Sequence, residues 1–173
     1  MSLSPATASR AAGLLAGLCL VGIVALQAWR VPASARPAAV AVDLRAVPSG
    51  EVGVTPAGPL LDRRDVMPGG AAARGRVRLS NRTAQGVSVR PTVTGGDPAL
   101  DRLVELELTA EGRVLYRGPL GGLRAGGRAS LAISRTRAVA VGVAARVPAS
   151  AAAEAAARSG RWSLTFAVAG AGR

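Results

Sequence analysis

Hydrophobic and polar residues alternate over short stretches along much of the chain. The clearest case is Val104, Leu106 and Leu108, which alternate with Glu105 and Glu107. A period of two sends successive side chains to opposite faces, so this pattern predicts a β-strand with one buried face. Similar patterns predict further strands over residues 38–44, 74–81, 87–94, 114–116, 128–134, 138–147 and 161–169.

Turn-forming residues separate these strands and leave little room for helix. The pair Gly95-Gly96 predicts a turn, and Asp97 before Pro98 predicts the start of one helical turn. The alanine-rich stretch 149–158 predicts a short connecting helix or loop. Pro91 lacks an N–H, so its strand should lie at a sheet edge or carry a bulge. The pattern predicts an all-β fold, a single β-sandwich of jelly-roll or immunoglobulin-like type behind an N-terminal hydrophobic signal helix.

The N-terminal segment has the organisation of an export signal. Arg10 precedes an apolar stretch over residues 11–28, and Ala33-Ser34-Ala35 places small residues where signal peptidase requires them. We therefore predict a signal peptide over residues 1–35, with Ala33 and Ala35 recognised and the cut made after Ala35. The alternative is an uncleaved membrane anchor, because the apolar stretch approaches the ~20 residues that span a bilayer.

Proline and alanine dominate the stretch that follows the predicted cut. Pro37, Pro48 and Pro56 punctuate residues 36–58, which we interpret as an extended N-terminal segment. The sandwich domain is then expected over residues 59–173. The product is expected to be secreted or at the bacterial cell surface, and anchored in the membrane if the signal is not cleaved.

The chain is strongly basic, with a formal net charge of +12 and arginine at every basic position. Such an excess attracts anionic polymers, for example those of a cell wall, although a solvated surface without a partner would look the same. The aromatic residues are Trp29, Trp162, Tyr116 and Phe166, too few to provide stacking platforms for nucleic-acid bases. We therefore expect no specific nucleic-acid partner.

The residue types that most enzymes need are scarce. The chain has no histidine, and its single cysteine lies within the apolar N-terminal stretch. The sequence therefore suggests no catalytic residue, no metal ligand set and no cofactor. The acidic residues between positions 97 and 111 form one cluster in sequence, in which Glu105 and Glu107 share a strand face. That pair could bind Ca²⁺ or act as acid and base, but we interpret it as a solvated face offset by arginines.

A series of short motifs resembles the TasA/camelysin family of exported bacterial proteins, which includes CalY-like and spore-coat-associated N proteins. The resemblance covers about residues 60–170, and its specificity lies in the order of the motifs. Where the family has an acidic residue in its "PGD" turn, this chain has Gly70. The motifs are Pro59-Leu60-Leu61-Asp62, Met67-Pro68-Gly69-Gly70, Val77-Arg78-Leu79-Ser80-Asn81, Val114-Leu115-Tyr116-Arg117-Gly118-Pro119-Leu120 and Val147-Pro148.

The resemblance implies a jelly-roll-like sandwich and a non-catalytic role in the cell surface or the biofilm matrix. It also implies self-association, or association with related matrix proteins, by strand addition. The candidate donor is the segment 38–44, with Val40, Val42 and Leu44 as alternating anchors. Alternatively, this segment is a linker or packs on its own domain.

Three functions remain open at this point. The first is an exported structural protein of the surface or the extracellular matrix. The second is a secreted metallo-endopeptidase, an activity described for some camelysins, which the absence of histidine does not favour. The third is a membrane-anchored module that binds wall polymers.

The first prediction concerns processing. N-terminal sequencing of the secreted product should begin at Arg36, because signal peptidase cuts after an A-x-A site. A product that begins near Met1 and stays with the membrane fraction would establish the anchor instead.

Overall fold

A computed structural model describes residues 38–124 and 129–168 of the protein. The predicted signal peptide, including Ala33 and Ala35, lies outside these residues. Within them, eleven strands are β1 (Val40–Val47), β2 (Val52–Thr55), β3 (Gly58–Pro59), β4 (Asp65–Val66), β5 (Ala73–Asn81), β6 (Val87–Gly95), β7 (Glu105–Ala110), β8 (Arg113–Pro119), β9 (Leu131–Ile133), β10 (Ala138–Arg146) and β11 (Ser159–Val168).

The strands form two sheets. Sheet I has the order β3-β1-β11-β6-β9, with β4 also paired to β1, and sheet II has the order β2-β5-β10-β7-β8. All pairs are antiparallel except β1 with β11, which run parallel with Leu44 opposite Trp162. Buried side chains from both sheets belong to one hydrophobic cluster, so the two sheets share a single core. The prediction of an all-β fold is confirmed.

The alternation in β7 is realised as predicted. Leu106 and Leu108 are buried, whereas Glu105, Glu107 and Thr109 lie on the outer face of sheet II. The same alternation in β5 buries its valine and leucine and exposes its arginines. Period-two patterning is a reliable guide here because each sheet has one face in the core and one in water.

Residues predicted to precede the domain supply two of its strands. Val40, Val42 and Leu44 are 0%, 0% and 1% exposed in sheet I, and β2 is an edge strand of sheet II. The two-sheet domain therefore begins at β1 and not at residue 59. The prolines misled the prediction, because Pro48 and Pro56 lie in the connections between strands rather than inside them.

Short helices occupy the two places where the sequence predicts them. Helix α1 spans Leu100–Leu103 after Asp97, whose Oδ1 accepts the backbone N–H of Ala99. A 3₁₀ turn and helix α2, Ala152–Ala155, connect β10 to β11. No helix among residues 38–124 and 129–168 is long and apolar enough to cross a membrane.

Pro91 has the edge environment that its missing N–H requires. β9 pairs with β6 only over Val87, Ser88 and Val89, so beyond this point β11 is the only strand that pairs with β6 among the described residues. Pro91 lies opposite Phe166 of β11 and leaves its other side free of any strand. The prediction from the sequence is confirmed.

Two glycines allow close approach of neighbouring groups. A Cβ at Gly75 would lie 1.6 Å from the carbonyl oxygen of Leu60, so the backbone after β3 can cross β5 only at a glycine. A Cβ at Gly96 would lie 2.0 Å from Nε1 of Trp162, and Gly96 has a φ of +77°. The largest ring of the core thus packs where β6 ends.

The burial of β1 generates the second prediction. Leu44→Ala should lower the free energy of unfolding by about 2–5 kcal/mol, because it leaves a cavity in the shared core. The matched control, Val47→Ala, changes a residue that is 37% exposed on the same strand and should cost less than about 1 kcal/mol. Denaturant unfolding measures both. Equal stability of the two variants would show that β1 does not pack in its own domain.

Candidate binding face

The acidic cluster predicted from the sequence is dispersed in space. Each of its five carboxylates forms an ion pair with a different arginine. Among the described residues, no three or more Asp, Glu, His or Cys side chains come together as a group that could hold a metal. The pairs are Asp97 with Arg158, Asp101 with Arg124, Glu105 with Arg146, Glu107 with Arg117 and Glu111 with Arg137.

Glu105 and Glu107 lie on the outer face of sheet II, as predicted, and are held by cross-strand arginines. Arg146 of β10 stands opposite Glu105 in the register, and their Nη2 and Oε2 atoms are 2.6 Å apart. Arg117 of β8 stands opposite Glu107, with 2.8 Å between the corresponding atoms. Directly opposed residues of opposite charge favour this register. This arrangement agrees with the interpretation of a solvated face offset by arginines.

A shallow trough of about 430 Å³ lies on this outer face. Its floor is β10, which contributes Gly142 and Ala144; Arg74 of β5 lies on one side, and Glu105, Glu107 and Thr109 of β7 lie on the other. A Cβ at Gly142 would lie 2.7 Å from Oγ1 of Thr109, so any larger residue would contact Thr109 and fill part of the trough. The trough is therefore a consequence of small residues on the central strand of the sheet.

Arg74, Arg76 and Arg78 form a row along the exposed face of β5, which we call the arginine row; Arg74 also lines the trough. They are exposed on alternate positions of the strand, and none lies within 4.0 Å of a carboxylate oxygen in the described part of the chain. All ten acidic side chains of the protein fall within the described residues. The backbone N–H of Arg74 is bound by Oδ1 of Asp62 at 2.8 Å, but its guanidinium is not.

The period-two pattern pointed to this row, since it placed Arg76 and Arg78 on one face. It could not show that the neighbouring strand opposite them carries no acid. Ala140, Gly142 and Ala144 of β10 stand opposite Arg78, Arg76 and Arg74 in the register. The identity of the residues opposite the arginines depends on the strand pairing, and the sequence pattern does not predict that pairing.

One buried carboxylate ties together four separate parts of the fold. Asp101 of α1 is 6% exposed, and its Oδ1 accepts a hydrogen bond from Nε1 of Trp162 at 2.8 Å. Its other oxygen pairs with Nε of Arg124, whose Nη2 also donates to the carbonyl of Gly95. The hydrogen bond to Asp101 raises the pKa of Arg124. This network fixes α1 against β6 and β11, and no local pattern indicated it, because in the sequence Asp101 belongs to an acidic cluster that predicts a solvated face.

Asp97, at the start of α1, is stabilised in its ionised form. The backbone N–H of Ala99 lowers the pKa of its carboxyl, with help from Arg158 at 3.2 Å. A lowered pKa means that the folded state favours the carboxylate. Its contribution to stability is therefore present above the unfolded pKa and is lost as the pH falls through the folded value.

The Asn81-Arg82-Thr83 sequence, which matches a glycosylation sequon, serves as a turn. Asn81 is 7% exposed, and its Nδ2 donates to the carbonyl oxygens of Gln85, Ile133 and Ser134. Its Oδ1 accepts the N–H of Thr83 at 2.8 Å. The amide that a glycan would require is thus fully used in joining β5 to β9.

The strand-donor residues are not displayed for a partner. Val40, Val42 and Leu44 fill the core of their own domain, and the exposed positions of β1 are few. A second copy could receive this strand only if its own β1 left the same place. The donor hypothesis is thereby reduced to one form, which is exchange of β1 between copies.

The third prediction concerns the buried carboxylate. Asp101→Ala should lower the free energy of unfolding by about 2–4 kcal/mol, because it removes the acceptor of a buried indole N–H and the partner of Arg124. Glu107→Ala, which breaks an exposed pair, serves as control and should cost no more than about 1 kcal/mol. Thermal or denaturant unfolding measures both variants. Equal stability of the two would contradict the structural role of Asp101.

Comparison with protein-family models, with curated proteins and with solved structures gives no significant match. The resemblance to the TasA/camelysin family therefore rests on the order of the motifs alone.

Proposed function

We propose that this protein is an exported, non-catalytic surface or matrix protein, with a β-sandwich of the TasA/camelysin type that self-associates by exchange of β1. Export is supported by the Arg10 to Ala35 pattern. The non-catalytic role is supported by the pairing of each of the five candidate carboxylates with an arginine.

The observation that carries the assembly proposal is the position of β1. It is the first strand of the described domain, and the core holds its three alternating anchors. Its register with β11 runs over seven residue pairs, from Ala41 with Ser159 to Val47 with Thr165. A terminal strand with this much buried contact can move between copies as one piece.

Exchange needs only one connection to reopen. The segment between β1 and β2, residues 48–51, includes Pro48 and Gly50, the latter at a φ of +29°. An exchanged β1 makes the same contacts in the neighbouring copy as it makes in its own, so the energetic cost is mainly that of opening the monomer. Because each copy both gives and receives one strand, the arrangement closes into a ring or extends as a fibre.

The fourth prediction tests exchange by locking β1 to its own domain. Ala41 and Asp65 are directly opposed on the antiparallel pair β1–β4, next to the Val42 N–H to Arg64 oxygen bond at 2.8 Å. Such a non-hydrogen-bonded pair has Cα atoms about 4.5 Å apart, within the range of a disulfide. The double variant Ala41→Cys/Asp65→Cys, oxidised as a monomer, should stay monomeric, whereas reduction should restore assembly. Size-exclusion chromatography and negative-stain imaging give the readout.

The control places a disulfide where no strand is exchanged. Thr92→Cys/Thr165→Cys joins β6 to β11, both of which stay in their own copy, so this variant should assemble whether oxidised or reduced. Assembly of the oxidised Ala41→Cys/Asp65→Cys variant would contradict exchange of β1, and a protein that never assembles would contradict self-association. Bound zinc, with casein hydrolysis that a chelator abolishes, would identify the peptidase instead.

A further inference from the structure

We infer that the arginine row is a binding site for a linear phosphodiester polymer without bases. Arg74, Arg76 and Arg78 point from one face of β5, while the residues between them pack inward or lie against Leu60. Alternate residues of an extended strand are about 6.6–6.8 Å apart. The row is therefore a series of three arginines evenly spaced along a strand that lies between β2 and β10 in sheet II.

The guanidinium groups of the row form no ion pair in the described structure, and the carboxylate beside the row, that of Asp62, accepts the backbone N–H of Arg74 instead. Glu105 and Glu107 are the nearest carboxylates across the trough, and they are paired with Arg146 and Arg117. On the other side of β5, the edge strand β2 places Thr55 opposite Arg78 and Gly53 opposite Ser80. An anion that approaches the row does not have to displace an internal ion pair.

The shape of the surface suits a chain rather than a compact anion. The floor beside the row is formed by glycine and alanine of β10, so a polymer can lie along the strand without a barrier. On the far side of the trough, Arg146 and Arg117 are paired with Glu105 and Glu107, so the unpaired positive charge lies on the β5 side. The guanidinium group binds phosphate oxygens through two parallel N–H bonds, which favours phosphate as the repeating charge.

The spacing of the arginines along the strand indicates the spacing of the phosphates in the polymer. Two residues of peptide contain as many backbone bonds as one unit of a phosphodiester chain whose phosphates are bridged by three carbons. Two extended chains with equal numbers of bonds per repeat have similar lengths per repeat, so each guanidinium can pair with one phosphate. A nucleic-acid strand has a similar backbone, but its bases would need a stacking surface.

No such surface exists beside the row. Trp162 and Phe166 are buried in the core, and Tyr116 of β8 packs against the core and donates its hydroxyl to the carbonyl of Pro119. The outer face of sheet II therefore presents no aromatic ring among the described residues. The contacts available are those to phosphate, which is why the ligand is a polymer such as poly(glycerol phosphate).

The fifth prediction compares two variants of equal charge. Arg74→Ser/Arg76→Ser/Arg78→Ser removes the row, and Arg90→Ser/Arg102→Ser/Arg135→Ser removes three exposed arginines that also lack an ion pair in the described structure. The row variant should bind poly(glycerol phosphate) about tenfold or more weakly than wild type, and the salt dependence, d log K/d log[salt], should fall in magnitude by about 2. The control variant should change both quantities much less.

The measurement uses purified protein, kept in non-ionic detergent if the N-terminal segment is retained, titrated at several salt concentrations. Circular dichroism checks that both variants are folded. Equal losses in the two variants would show attraction by net charge alone and overturn the site. Two further ligands test the assignment: tighter binding of a polyuronate would overturn phosphate as the repeating charge, and tighter binding of mixed-sequence single-stranded DNA would overturn the base-free polymer. The result does not depend on assembly, since the oxidised Ala41→Cys/Asp65→Cys monomer retains the row.

Discussion

The parallel pairing of β1 with β11 is the constraint on which the rest of the fold depends. It joins the first strand of the described domain to the last, and it places Leu44 opposite Trp162 in the middle of sheet I. Asp43 and Arg161, which are 118 residues apart in sequence, form an ion pair of 3.0 Å across it. A parallel pair needs a long crossover, and here nearly the whole domain is that crossover. The contacts that complete the core are therefore among the most distant in sequence, and we expect them to form late in folding.

The same pairing gives the N-terminal strand two roles that conflict. As part of the monomer it fills the core, and as the first strand of the described domain it can leave when the single connection to β2 reopens. Domains whose terminal strand is both buried and easily released are suited to exchange between copies. The stability of the monomer therefore depends on contacts between β1 and β11, the two described strands that are farthest apart in sequence.

The charges of the protein are divided into two populations by strand pairing. The acids between residues 97 and 111 each attract one arginine, and these pairs hold β7 to β8 and β10 and anchor α1 against β11. Arg45 and Arg161 pair with Asp43, and the other arginines of the described residues form no ion pair, in a chain whose net charge is +12. Three of them come together as the arginine row, since the strand beside them contributes only small neutral side chains on its outer face. A surplus that is diffuse in the sequence is thus concentrated on one face of the folded domain.

Local patterning by itself predicted eight of the eleven described strands and which of their side chains face the core, but it missed the short strands β2, β3 and β4. Leu106 and Leu108 illustrate this, because alternation depends only on the geometry of a single strand. The same holds for Pro91, whose edge position follows from its missing N–H. What only the tertiary structure decided was the partner of each strand. Pairing placed Val40 inside the domain rather than before it, buried Asp101 against Trp162, and left the arginines of β5 beside a strand without acids. These outcomes depend on residues far apart in sequence, and no local period records them.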